Sequence, residues 1–334
     1  MQLLAVKDHP QKLQETSQNV YPIQMATYYN FPKPDRCRKY RVGITNIFGP
    51  VNLSNVRSTW KASGIEEKDF PKLSVEYFGS GPGFCSEDRN DTVLAIIGSI
   101  IPSAKSHIKL YLSESTNVSY FEASEKALAE NDVVLFLAGN TFDETSAKLW
   151  SDLLDKYKNT IPVMYCGDGT DLYLPSALPQ CVSTGASVLY LKDNKYDYET
   201  AYNFSGGGRA NIPQPKYQKD VVPEELAQGK RTCPDLVING GSSDSVGYRV
   251  KTNDGFMRAK TNPIVISSAM IAGFLALSDS KCKMTKRIYK AYQKFPSAFN
   301  DITLGTTVNY PALVGYDLAT GLGSFNGAKL IICL

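Results

Sequence analysis

Pro263-Ile-Val-Ile-Ser-Ser-Ala-Met-Ile-Ala-Gly-Phe-Leu-Ala-Leu277 is the longest apolar run in the chain. It is shorter than the ~20 residues a helix needs to span a bilayer. It is also apolar on every face, the pattern of a helix enclosed on all sides rather than one lying on a surface. The expectation is a buried central helix over 267–277, with Ser267 and Ser268 at its N-cap or in its first turn.

Short apolar runs and helical patterns alternate before it. Tyr40–Ile47, Ile108–Leu112, Val133–Leu137 and Pro162–Tyr165 read as strands. Asp91–Ile101, Tyr120–Ala129 and Ser146–Lys158 read as helices. Strands separated by helices of ~10–15 residues predict an α/β fold, a mainly parallel twisted sheet with helices on both faces. No repeat or low-complexity linker divides the chain. Residues 1–20 are polar and read as an N-terminal arm, and 21–334 as a single domain.

Composition narrows the function classes. The chain is 43% apolar and 21% charged, ordinary for a globular protein. A net charge of +3, with both signs spread along the sequence, gives no electrostatic case for nucleic acid or a membrane surface. Basic runs such as Lys281–Arg287 read as solvated helix ends. The start is interrupted by charge too early to form a signal peptide's apolar core. Seven scattered cysteines without a Cys-x-x-Cys pair read as reduced thiols. These features predict an intracellular protein, or one inside an assembled particle. The sequons at Asn52, Asn90, Asn117 and Asn203 then read as chance. The two histidines, His9 in the arm and His107 before a strand, offer neither a histidine triad nor a zinc site.

Six local phrases fall in a fixed order. Tyr21–Pro34 contains Tyr29-Asn-Phe-Pro32. Cys166-Gly-Asp-Gly169 follows an apolar strand. Phe204-Ser-Gly-Gly-Gly208 precedes Pro215-Lys-Tyr-Gln218, and Pro234-Asp-Leu-Val-Ile-Asn239 reads as a strand. Asn300-Asp-Ile-Thr303 and Gly315-Tyr-Asp-Leu-Ala-Thr-Gly-Leu-Gly323 close the chain. Together they resemble the sedolisins, or serine-carboxyl peptidases, acid-active relatives of subtilisin. The resemblance runs from about Tyr21 to the last residue. It implies a subtilisin-like three-layer fold.

The resemblance also implies site residues. Sedolisins use a serine nucleophile, a glutamate as its base, an aspartate behind that glutamate, and a second aspartate in the oxyanion hole. Glu87 and Asp91 have the family's Glu-x-x-x-Asp spacing, and residues four apart share a helix face. Asn90 stands where the family has leucine. Asp168 lies between two glycines at the position of the oxyanion aspartate. Ser205, Gly206, Gly207 and Gly208 match the substrate loop, where a tight backbone turn is a sufficient reason for the glycines. Asp301 and Asp317, with the carbonyls of Ile302, Leu313 and Gly315, match a structural calcium site of hard oxygen donors. Leu313 replaces a glycine there.

The nucleophile is the exception. The family pattern is Gly-Thr-Ser-Ala-x-x-Pro-x-x-Ala-Gly. Anchoring it on Ala272-Gly273 places Pro263, Ile264, Val265 and Ala269 at the family's glycine, threonine, serine and proline. Val265 has no proton to give up and no lone pair to attack with. A two-residue slip that aligned Ser267 with the nucleophile would rotate the helix face by about 200°.

The expectation is therefore a catalytically inactive sedolisin-like protein with a binding or structural role and a protein partner. Only ~20 residues precede the match, too few for a propeptide domain, so none is expected. The first alternative is an active acid endopeptidase or tripeptidyl-peptidase using Ser267. The second is a structural component of a larger assembly such as a virus particle.

Overall fold

The computed structural model describes residues 18–47, 49–79, 89–167, 169, 171–242 and 246–334. Six strands form one parallel sheet: β1 (Arg41–Ile47), β2 (Lys72–Phe78), β3 (His107–Ser113), β4 (Val133–Phe136), β5 (Ile161–Tyr165) and β6 (Val182–Thr184). Their spatial order is β2-β3-β1-β4-β5-β6. Val42 pairs with Ile108 on one side and Val133 on the other, and Val133 pairs in turn with Ile161. The inner strands are apolar without alternation, and Val133 to Phe136 are all fully buried. That is the mark of a parallel sheet covered on both faces.

Helices supply the covers. They are α1 (Pro22–Tyr28), α2 (Leu53–Ala62), α3 (Arg89–Ile100), α4 (Asn117–Glu130) and α5 (Glu144–Lys156). The central helix, Pro263–Ala276, packs on α3 and on β5, β4 and β6. Every residue from Ile264 to Ala276 is buried. Gly273 admits α3 closely, since a Cβ there would sit 2.7 Å from Ile100 Cδ1. The fold is an α/β arrangement with a mainly parallel sheet and a buried central helix, as the sequence predicts.

Several local expectations are corrected. The central helix begins at Pro263, not 267. Asn262 is its N-cap, accepting from Ile264 N at 3.2 Å, and proline is suited to the first helical position because its missing N–H has no intrahelical partner there. Ser267 and Ser268 therefore lie in the second turn. Pro234–Asn239 is not a continuous strand. It joins the sheet region through two isolated parallel bridges, Thr184 to Leu236 and Ser187 to Asn239. The arm is not free throughout, because Asn19–Val20 pairs with Gly247–Tyr248. His107 opens β3, with Nε2 2.7 Å from Ser74 Oγ.

Lys281 is not a solvated helix end. Its Nζ donates to Ala276 O at 2.9 Å and Ser278 O at 2.6 Å, closing the C-terminus of the central helix. Burial lowers its pKa to about 8.

The Tyr29-Asn-Phe-Pro32 phrase has a packing reason. Phe31 lies 5.8 Å from Phe325 in a stacked pair and 4.9 Å from Phe274 of the central helix. Tyr29 OH donates to the buried Glu199 at 2.6 Å, and Tyr196 OH donates to the same carboxylate at 2.8 Å. Ser187 and Ser324 complete this hydroxyl cage. Burial pushes the Glu199 carboxyl up, and the four hydroxyls partly counter it.

Candidate functional site

In open α/β sheets, sites form beyond the carboxyl ends of the strands where the connections reverse direction. Here β1 connects outward to β2 while β4 connects the opposite way to β5, so that point lies between β1 and β4. The β1 end carries Asn46, and α3 begins beside it at Arg89.

Asn90 is buried, and its amide is fully used. It accepts from Asn46 Nδ2 at 2.8 Å and donates to the Pro50 and Gly49 carbonyls at 3.2 and 3.4 Å. A leucine could hold none of these groups. Asp91 is also buried. Its Oδ1 accepts from Asn52 N at 2.7 Å and its Oδ2 from Asn55 Nδ2 at 3.3 Å. Asn52 in turn caps α2 through Ser54 N and Asn55 N. Asp91 thus ties the start of α3 to the start of α2. Glu87 and Asp168 lie outside the described residues.

Val265 sits in the first turn of the central helix and is fully buried. The turn is pressed against backbone, because a Cβ on Gly240 would lie 2.4 Å from Pro263 O. Ser267 is fully buried too. Its hydroxyl donates to Gly185 O at 2.6 Å and accepts from Ile238 N at 3.2 Å. Ser268 Oγ donates to Ile264 O at 2.7 Å and lies 2.6 Å from Thr184 Oγ1. Both hydroxyls serve the packing of the helix against the β6 region.

The Ser205–Gly208 loop is buried throughout. Ser205 Oγ accepts from Ala186 N at 3.0 Å, and Gly206 N donates to Gly167 O at 3.2 Å. A Cβ on Gly206 would meet Gly167 O at 2.4 Å, and one on Gly207 would meet Leu318 O at 1.9 Å. Backbone fills the space on both sides, which is the structural reason for these glycines.

Asp301 and Asp317 converge on one loop. Asp317 Oδ2 accepts from Leu313 N at 2.7 Å, and Asp301 Oδ2 accepts from Gly315 N at 2.9 Å. Asp317 Oδ1 also accepts from Ala319 N and Thr320 N, at 2.8 and 2.7 Å. Burial raises the Asp317 carboxyl, and these N–H groups oppose the rise. Among the described residues neither carboxylate is paired with a lysine or arginine. Both carboxylates face backbone N–H groups, and among the described residues no group of three or more His, Cys, Asp or Glu side chains gathers there.

One charged centre was missed by sequence reading. Arg231 and Asp235 are both fully buried and form a bidentate pair at 2.6 and 2.7 Å. Asp235 also accepts from Ser183 N and Tyr289 OH, each at 2.8 Å. The sequence signals were an arginine four residues before an aspartate and the place of that aspartate in the Pro234–Asn239 phrase, which reads only as a strand.

No protein-family model and no curated protein matches the sequence. Solved structures do. The chain is similar to Pseudomonas sedolisin, a serine-carboxyl proteinase complexed with two molecules of pseudo-iodotyrostatin. The TM-score is 0.77 at 20% identity, covering 95% of this chain and 98% of that one. It is also similar to the PatG macrocyclase domain, with a TM-score of 0.50 at 10% identity over 96% and 99% of the two chains. A third match is the subtilisin-like protease Apa1 from Pseudoalteromonas sp. AS-11, with a TM-score of 0.46 at 11% identity over 93% and 94%. The fold is therefore that of the sedolisin structure. Among the described residues no helix is long and apolar enough to cross a membrane.

Proposed function

We propose that this chain, with residues 21–334 as one domain, is a catalytically inactive sedolisin-like protein that binds a partner or serves in an assembly. One observation carries the reading. The first turn of the central helix holds a fully buried Val265, and the nearest serines, Ser267 and Ser268, have hydroxyls bonded to buried backbone. A nucleophile needs access to substrate and a base within hydrogen-bond reach. Ser267 has neither access nor a carboxylate partner among its described bonds. Asp91 supports the same reading by its bonds to the start of α2, and the buried Ser205–Gly208 loop by its contacts with backbone on both sides.

The test is an assay with internally quenched peptides and with free-amino tripeptide substrates from pH 3 to 8. Turnover is expected to equal that of Ser267→Ala at every pH. Turnover that vanishes in Ser267→Ala would restore the acid-peptidase reading.

A calcium ion bound by Asp301 and Asp317, with the carbonyls of Ile302, Leu313 and Gly315, is part of the proposal. Its role is structural, neutralising two carboxylates drawn onto one loop. Binding to the folded state alone adds ~2.7 kcal/mol at a hundredfold excess over Kd, so a chelator is expected to lower Tm by several degrees. Asp301→Asn is the informative variant. Asp301 is exposed, and asparagine keeps an acceptor for Gly315 N. Its melting curve is expected to start lower and ignore the chelator. Asp317→Asn would confuse the issue, because Asp317 also holds its own turn. Identical wild-type curves with and without chelator would remove the calcium.

A further inference from the structure

The helix Met284–Lys294 is two-sided. Met284, Thr285, Ile288, Tyr289 and Ala291 are buried. Lys283, Lys286, Arg287, Lys290 and Lys294 follow at spacings of three and four, which places them on one outward face. This face borders a groove of about 460 Å³ that Phe295 and Ile332 also line. Phe295 is 52% exposed and Ile332 85% exposed. Arg287 shapes the groove: Nε donates to Cys282 O at 3.2 Å and Nη1 to Leu334 O at 3.0 Å, joining the start of the helix to the last segment of the chain.

Among the described residues no aspartate or glutamate lines the groove. Among the described residues none of the four lysines takes part in an ion pair, while Arg287 is held by Leu334 O. Lys286, Lys290 and Lys294 stand four apart, an arrangement in which like charges destabilise a helix. Lysines elsewhere on the surface, at 61, 68, 109, 126, 148 and 156, do have carboxylate partners. Other cations, such as Lys39, Lys72 and Lys216, also lack an ion pair among the described residues, but here several such cations line one concave place beside two exposed apolar side chains.

We propose that this groove docks an acidic peptide segment of a partner protein, one bearing carboxylates around an apolar side chain. The carboxylates answer the lysines, and the apolar residue answers Phe295 and Ile332. The pairing of concavity with an apolar rim favours a peptide over a phosphate backbone. The modest net charge of +3 supplies no broad field for a polyanion. The surface is independent of the catalytic question, since an active or an inactive chain would present it equally.

The test uses the full chain and a displayed library of twelve-residue peptides, each carrying four Asp or Glu residues around one Leu or Phe. A matched library has Asn and Gln in place of the acids. The wild-type chain is expected to enrich acidic members over their amide counterparts. A synthetic peptide of the enriched sequence is expected to bind about tenfold or more weakly to the Lys286→Glu/Lys290→Glu variant, and more weakly to wild type as salt is raised. The variant's melting curve is read alongside, since both lysines are exposed and their reversal should leave the fold intact. Three results would overturn the proposal: no enrichment of acidic over amide peptides, equal binding by a folded charge-reversal variant, or phosphatidylserine vesicles or duplex DNA bound through these lysines while the acidic peptides are not.

Discussion

Val265→Ser will leave peptide hydrolysis at background. Supplying the missing hydroxyl looks like the smallest repair, and losing a catalytic nucleophile costs on the order of 10⁶ in rate. That factor returns only if the hydroxyl meets substrate and base. At 265 the side chain is fully buried in a helix enclosed by α3 and the sheet. A serine there would lose apolar contacts and leave its hydroxyl to find a partner in a buried first turn, with no helical carbonyl four residues before it such as Ile264 O offers Ser268. The neighbourhood differs too. Pro263 offers no N–H, and Asn90 has drawn the start of α3 into a network with Asn46, Gly49 and Pro50. Residues acting as one catalytic unit are strongly non-additive, so one restored member gains almost nothing. The expected result is a folded variant destabilised by roughly 1–3 kcal/mol, with no turnover at pH 3 to 8. Cleavage by the single variant, abolished again by Val265→Ala, would show a site still assembled around position 265.

The four inner strands were legible because parallel strands covered on both faces are largely apolar runs, whereas the edge strands Lys72–Phe78 and Val182–Thr184 were not read from the sequence. Val133–Phe136 and Ile161–Tyr165 can hardly be anything else between two amphipathic helices. The central helix was legible for the same reason, but its start was not. Ser267-Ser268 is a good local capping signal, and it was overridden by distant partners. Gly185 O and Ile238 N claim one hydroxyl, and Thr184 sits against the other. Asn262-Pro263 was the correct local signal, one turn earlier. The Ser205–Gly208 glycines could be read as backbone requirements, though not the carbonyls of Gly167 and Leu318 that impose them. Asn90 could be seen only as a departure from leucine. Its partners come from the end of β1 and the loop after it, some forty residues away, and nothing in the local sequence names them. The cations of Met284–Lys294 were legible as exposed, but spacing shows which of them share a face, not what that face encloses.

Arg231→Met will be among the most damaging single changes away from the central helix. The pair it breaks has no water to fall back on, since Arg231 and Asp235 are both fully buried. A buried pair adds little net stability when intact, because desolvating two ions offsets most of their attraction. Removing one partner strands the other charge at a cost of about 3–5 kcal/mol. Asp235 would keep Ser183 N and Tyr289 OH as donors, which softens the loss without neutralising the charge. Against a typical domain stability of about 5–15 kcal/mol, that is a large share. The damage should also spread, because this one carboxylate joins β6, the strand Lys230–Cys233 and the helix Met284–Lys294. A second change separates charge from packing. In Arg231→Met/Asp235→Asn the amide oxygen can still accept from Ser183 N while no ion is buried, so urea unfolding should recover much of the loss. If Arg231→Met costs under about 1 kcal/mol, or the double variant is no better than the single, then the stranded charge is not what holds this region together.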